Sequence, residues 1–224
     1  MKDAHDAQRE SMLRSVASLE DAALGLLLDL DALDIPLWVA WPRPGYDGQK
    51  RKEEFNRPRE WQELPYYWNA VRLSSYEPGA ALCANMGYGV AVVDVDPRNG
   101  GDIEKVRALL RWLDVTIYTE VATPGGGVHF DVADPGLHPV TGHKWGKVAG
   151  YPGVDVQVLG TNVFLPGTTR PKYQGRGYTV VDNRLAELRE ARRALVAARD
   201  TLGSGDAYWT AKCEIGGGAR LRGG

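Results

Sequence analysis

Asp94 and Asp96 stand two residues apart at the end of the apolar run Val90-Ala91-Val92-Val93. On a β-strand, residues two apart share a face, so both carboxylates point to one place. Two ionised carboxylates held that close repel each other unless a cation lies between them, and hard divalent ions such as Mg2+ take such oxygen ligands. A third acid, Asp155, lies inside Val154-Asp155-Val156-Gln157-Val158, where alternation sets Asp155 and Gln157 on one face and the valines on the other. An aspartate in so apolar a strand costs free energy unless it is paired or bound to metal. A strand-end cap for the first two acids, or a basic neighbour for Asp155, would satisfy them without a metal. Taken together, Asp94, Asp96 and Asp155 could support the two-metal arrangement of phosphoryl transfer.

The segment Thr123-Pro124-Gly125-Gly126-Gly127-Val128-His129 adds groups that handle anions. Glycines such as Gly126 and Gly127 let backbone amides approach a phosphate, and consecutive amides form an anion-binding concavity. His129 alternates with Val128 and Phe130 and faces away from them, so as a cation or hydrogen-bond donor it can meet a triphosphate oxygen. The pattern is neither a Walker loop nor a GxGxxG turn before a helix. A core or surface histidine beside a glycine turn is the plainer reading.

These residues need a scaffold. The periodicity of Leu13, Val16, Leu19, Leu24, Leu27 and Leu30 predicts helix over residues 1–33. Ile35–Pro42 reads as a strand, followed by a Pro- and Gly-bearing loop. Ala80–Ala84 and Val90–Asp96 read as strands, the second buried on both faces. A helix over Asp102–Leu113 with Asp102 as cap follows, then strands over Thr116–Thr123 and Val128–Val132. Gly153–Leu159 and Asn162–Leu165 read as a strand pair across a Gly160-Thr161 turn, with a last strand at Tyr178–Val181. The tail from Arg184 to Thr201 is helical, and beyond Gly203 it turns Gly- and Arg-rich. Phe55, Trp61, Tyr66, Tyr67, Trp68 and Tyr76 read first as core or half-buried surface, although aromatics among basic residues can also stack bases.

At 224 residues, 43% hydrophobic and 25% charged, the chain has the composition of a soluble globular protein. No apolar run approaches the roughly 20 residues that span a bilayer, which points to a cytoplasmic protein with no membrane partner. Cys83 and Cys213 have no CxxC spacing and read as free thiols. A net charge of −2 does not mark a nucleic-acid binder, yet basic residues gather locally. Arg43, Lys50, Arg51, Lys52, Arg57 and Arg59 form one group, and Lys144, Lys147, Arg170, Lys172 and Arg176 another. Lys144 and Arg170 flank the motifs and are the first candidates for phosphate contacts.

Jointly, Val92-Val93-Asp94-Val95-Asp96, Gly125-Gly126-Gly127-Val128-His129 and Gly153-Val154-Asp155-Val156-Gln157 resemble the bifunctional primase-polymerase domain of the archaeo-eukaryotic primase superfamily. Asn162-Val163-Phe164-Leu165-Pro166-Gly167-Thr168 is similar to that family's hydrophobic-Pro-Gly-Ser segment, and the likeness covers about Ile35 to Val181. The resemblance implies an α+β fold: an RRM-like (RNA-recognition-motif-like) catalytic sheet packed against a smaller αβ module, with flanking N- and C-terminal helices. It implies a catalytic domain over 1–182, whose first 33 residues are helical, and a C-terminal helix and Gly/Arg-rich tail over 183–224. It implies Asp94, Asp96 and Asp155 as catalytic ligands of two Mg2+ or Mn2+ ions. His129 would contact nucleotide phosphate beside Gly126 and Gly127. The partners it implies are a DNA template and primer, dNTP or NTP, and a helicase, separate or fused, in a phage, plasmid or other mobile-element setting. Two positions depart from the pattern. Gly127 stands where a small hydroxyl residue is frequent, and Thr168 where serine is common.

Three other readings compete. A metal-dependent nuclease could use the same three acids. A non-catalytic nucleic-acid-binding module on the same fold would lack a metal ligand, and none is missing. A zinc hydrolase built on His129, His138 and His143 fits no standard zinc spacing.

Overall fold

In the computed structural model the described residues are 2–44, 55–59, 69–87, 89–133, 148, 150–158 and 161–202, with side chains described between 6 and 193 of these. The apolar runs form two antiparallel sheets, and the chain passes between them. One is four-stranded: β1 (Leu37–Pro42), β2 (Phe55–Asn56), β3 (Ala81–Asn85) and β8 (Asn162–Phe164), in the order β2-β1-β3-β8. The other is five-stranded: β4 (Val90–Val95), β5 (Ile117–Ala122), β6 (Val128–Ala133), β7 (Val154–Gln157) and β9 (Thr179–Asn183), in the order β7-β4-β6-β5-β9. The fold is mixed α+β, as expected.

The β-branched run of β4 is buried on both faces, as its sequence suggests. Ala91, Val93 and Val95 pack with Val128, Phe130, Val132, Val154 and Val158 beneath helix α4 (Ile103–Trp112), which contributes Val106 and Leu110. The Asp102 side chain caps that helix by accepting the Lys105 amide at 3.0 Å. On the opposite face, Val90 and Val92 join a larger core with Leu82, Ala84 and Val163 of the four-stranded sheet. Residues that alternate with Val93 and Val95 therefore face the neighbouring sheet, and Asp94 continues that row.

Helices complete the larger core. The helical stretch expected over residues 1–33 consists of two helices, α1 (Lys2–Val16) and α2 (Asp21–Ala32). The chain turns at Ala17–Glu20, where Glu20 is extended and Ser18 and Asp21 are residue types that favour helix ends. The break lets Met12 and Val16 of one helix and Leu26, Leu27 and Leu30 of the next reach the same core. Helix α3 (Asn69–Leu73) supplies Leu73, and α5 (Leu185–Leu202) docks through Leu185 and Leu188. Phe55 and Tyr76 are buried, as the core reading has it, whereas Trp61 and residues 66–68 lie outside the described residues.

One expected pairing does not occur. Gly153–Leu159 and Asn162–Leu165 do form strands, β7 and β8, but they do not pair with each other. β7 pairs with β4 and β8 with β3. The apolar side chains decide this. Val154 and Val158 belong to the core under α4, while Val163 and Leu165 belong to the core between the sheets. Thr161 is turned by its own bonds to the Val158 carbonyl and donates its hydroxyl there at 2.6 Å.

Candidate active site

The register brings the key acids together. Asp94 is the direct partner of Asp155 across β4–β7 and of His129 across β4–β6. Directly opposed residues of antiparallel strands share a face, with Cβ atoms about 4.5–5.5 Å apart. Asp155, Asp94 and His129 thus form one row on the face turned toward the second sheet. Asp94 Oδ1 lies 3.6 Å from His129 Nε2, longer than a hydrogen bond. Burial outweighs that contact and pushes the imidazole down to about 4, so the ring is neutral at physiological pH. A neutral imidazole keeps one ring N–H as a donor and leaves the other nitrogen as an acceptor.

Asp96 lies one residue past the end of β4, still in extended backbone, and its amide donates to the Gly153 carbonyl at 2.7 Å. Its carboxylate is taken up locally. Arg98 donates to it from the backbone amide, from Nε at 3.0 Å and from Nη2 at 2.8 Å, and Asn99 Nδ2 donates at 2.9 Å. Those bonds hold the Asp96 carboxyl below the usual carboxylate range.

The glycine turn closes the β5–β6 hairpin. Gly126 has φ of +83°, a left-handed conformation, and a Cβ on Gly127 would sit 2.3 Å from the Val95 carbonyl. The Gly127 amide is bonded to Thr123 Oγ1 at 3.1 Å. Here the hairpin needs both glycines for its own closure, and Gly127 also lets it lie against the end of β4 beside Asp96.

Arg170 comes into the same region by a route the sequence does not suggest. It is only 8% exposed, and it stacks on the Phe164 ring at 4.4 Å and donates to the Tyr178 hydroxyl at 2.9 Å. The Tyr178 ring in turn lies 5.6 Å from His129. Burial raises the Tyr178 phenol to about 12, with Arg170 acting against the shift. Thr168, in the Pro-Gly-Thr segment, is fully buried and bonds both the amide and the carbonyl of Leu82. Lys144 lies outside the described residues, as do His138 and His143.

The model of the N-terminal domain of bifunctional DNA primase/polymerases matches residues 35–194. The chain belongs to this family. No curated protein matches it at a significant level. The primase/polymerase domain thus carries its paired acids on β4 and the edge strand β7 of the larger sheet, and the family is one of primase/polymerase-type nucleotidyltransferases.

Several residues of this region carry little signal in the sequence. Arg98 follows the acidic pair and reads as part of a loop, Tyr178 reads as the start of a strand, and Tyr173 belongs to no pattern at all. The one signal for Arg98 is its place two residues after an acid, within reach once the chain turns. Asp131, two residues after His129 and on the same face, is equally inconspicuous; it is 6% exposed.

The residues can be tested for fit to divalent ions. Among the described residues no group of three or more His, Cys, Asp or Glu side chains is gathered as a metal cluster. Asp94 and Asp155 are neighbours on one face, and Asp96 is engaged by Arg98. Two opposed carboxylates with a third at the strand end make a hard oxygen donor set that suits Mg2+ or Mn2+ once Asp96 is released. Among the described residues, too, no helix is long and apolar enough to cross a membrane.

Proposed function

We propose that this primase/polymerase domain is a template-dependent nucleotidyltransferase that starts or extends a DNA strand and releases pyrophosphate. The observation that carries the reading is the row Asp155–Asp94–His129, assembled from three strands on one sheet face in a chain of this family. Asp94, Asp96 and Asp155 would hold two Mg2+ or Mn2+ ions, which supply activation of the 3′-hydroxyl and neutralise the leaving pyrophosphate. The neutral His129 ring offers an N–H to a triphosphate oxygen without adding a buried charge. Tyr178 and Arg170 back that ring and hold it in place. Lys172, over the Tyr173 ring at 4.9 Å, adds positive potential near Asp96 and is a candidate contact for template or triphosphate. Lys144, beside the motifs in sequence, keeps the same candidate role.

We also read β4-α4-β5-β6-β7 as the RRM-like unit. Its four strands lie in the order fourth, first, third, second, and all pairings are antiparallel, which supports a split β-α-β arrangement. The four-stranded sheet is then the smaller module, and a helicase, separate or fused, is the partner that would open duplex template for it.

The test is nucleotide incorporation on a primed template with Mg2+ or Mn2+, comparing wild type with Asp94→Ala. Incorporation that the substitution removes is the expected result. Incorporation unaffected by it overturns the reading, and template degradation without extension replaces it with a metal-dependent nuclease.

A further inference from the structure

Asp96 has no acceptor capacity to spare. A carboxylate offers about four lone-pair sites. Here Oδ1 accepts from the Arg98 amide and Arg98 Nε, and Oδ2 accepts from Arg98 Nη2 and Asn99 Nδ2. Two of the four donors are on the Arg98 guanidinium, whose side chain is 51% exposed and therefore able to leave, and a third is the Arg98 backbone amide. The same guanidinium lies over the Tyr173 ring at 4.9 Å and donates to its hydroxyl. It also fills the space where a side chain on Gly125 would begin, since a Cβ there would sit 2.8 Å from Arg98 Cζ. Arg98 thus bridges the end of β4, the glycine turn before His129 and the segment after Arg170.

From this geometry we infer that Arg98 is a stand-in cation. In the substrate-free protein its guanidinium occupies Asp96 in place of a divalent ion, and it moves to the triphosphate when the ion arrives. The inference rests on the metal-ion reading above and adds a residue to it. The guanidinium fork matches a phosphate as well as a carboxylate, so the same side chain can exchange one partner for the other. Its position beside the glycine turn puts the second partner within the region where His129 would meet the nucleotide. The ion pair is half-exposed, so its competition with a metal is modest, in the range of a few-fold.

The experiment is Mn2+ binding to the full chain without nucleotide, followed by the electron paramagnetic resonance of the free ion. Wild type is compared with Arg98→Gln, Arg98→Lys, Lys172→Gln and Asp94→Ala. Arg98→Gln is expected to bind Mn2+ about five-fold more tightly. Arg98→Lys is expected to keep part of that gain although its charge is unchanged, because a point ammonium cannot reproduce the fork. Lys172→Gln, which removes a nearby charge but no bond to Asp96, should gain clearly less than Arg98→Gln. At saturating Mn2+, Arg98→Gln should bind a fluorescent nucleoside triphosphate about ten-fold more weakly. Equal or weaker Mn2+ binding by both Arg98 variants, with Asp94→Ala still losing the ion, overturns the inference and leaves the metal reading standing. An equal gain for Lys172→Gln, or an unchanged nucleotide affinity, overturns it as well. If Asp94→Ala binds Mn2+ as wild type does, the metal reading itself falls.

Discussion

Asp155 faces Asp94 directly across the pairing of β7 with β4. Like charges opposed in a sheet cost about 0.2–1 kcal/mol, and that repulsion is what a bound cation would reverse. Asp155→Asn should therefore raise the melting temperature in EDTA by about 1–3 °C, given about 2–4 °C per kcal/mol for a chain of this size. In Mn2+ the order should invert, wild type gaining stability and the variant not. Thermal melts with and without the ion check both halves.

Arg170 reaches His129 through one intermediary, the Tyr178 ring. Its guanidinium is enclosed against Phe164 and bonded to Tyr178, which packs on the histidine ring. Lysine cannot supply both the planar stack and the directed bond. Arg170→Lys should lower the melting temperature by about 4–8 °C, corresponding to about 2 kcal/mol. It should also weaken nucleotide binding while leaving Mn2+ binding near wild type. Calorimetry of the two ligands separates this outcome from a general loss of fold, which would lower both.

The acids and His129 are legible in the sequence because strand alternation is a local rule. A period of two puts Asp155 opposite the valines, and a run as apolar as β4 announces burial on both faces. Pairing is not local, and that is why β7 and β8 read as a hairpin although each serves a different core. The grip of Arg98 on Asp96 depends on a short 3-10 turn over Pro97–Asn99, closed by Gly100 in a left-handed conformation. Nothing in the residue types alone demands that turn. Arg170 reads as one of several flanking cations because arginine is mostly exposed. Its burial follows from three aromatic rings, at Phe55, Phe164 and Tyr173, that only the fold gathers around it.

The two turn glycines should respond differently to alanine. At Gly126 a Cβ meets open space, so the cost is the left-handed backbone alone, about 1–2 kcal/mol. At Gly127 a Cβ would collide with the Val95 carbonyl, and something must move. Gly127→Ala is expected to cost at least about 3 kcal/mol and to displace the hairpin that carries His129. Denaturant unfolding of both variants gives the ranking, and a Gly127→Ala protein as stable as Gly126→Ala would contradict it.

Asp131 ties stability to pH. It lies on β6 opposite Thr119 of β5 and Val92 of β4, and Thr119 leads on through Asn183 to Asp29 of α2, bonded at 2.9 Å. Burial pushes its carboxyl up to about 7, against a hydrogen bond from Thr119 that pulls the other way. A folded value above the unfolded one means the native state holds its proton longer. This contribution to stability is therefore whole below about pH 4 and is lost as pH rises through about 7. Every pH unit by which the folded protein outholds the unfolded chain is worth about 1.4 kcal/mol, so several degrees of melting temperature are at stake. Asp131→Asn keeps the shape and removes the titration. Its melting temperature should stay within about 2 °C of wild type at pH 4 and exceed it by about 5 °C or more at pH 8. Melts across that range decide the matter, because a substitution that merely damaged packing would lower both ends alike.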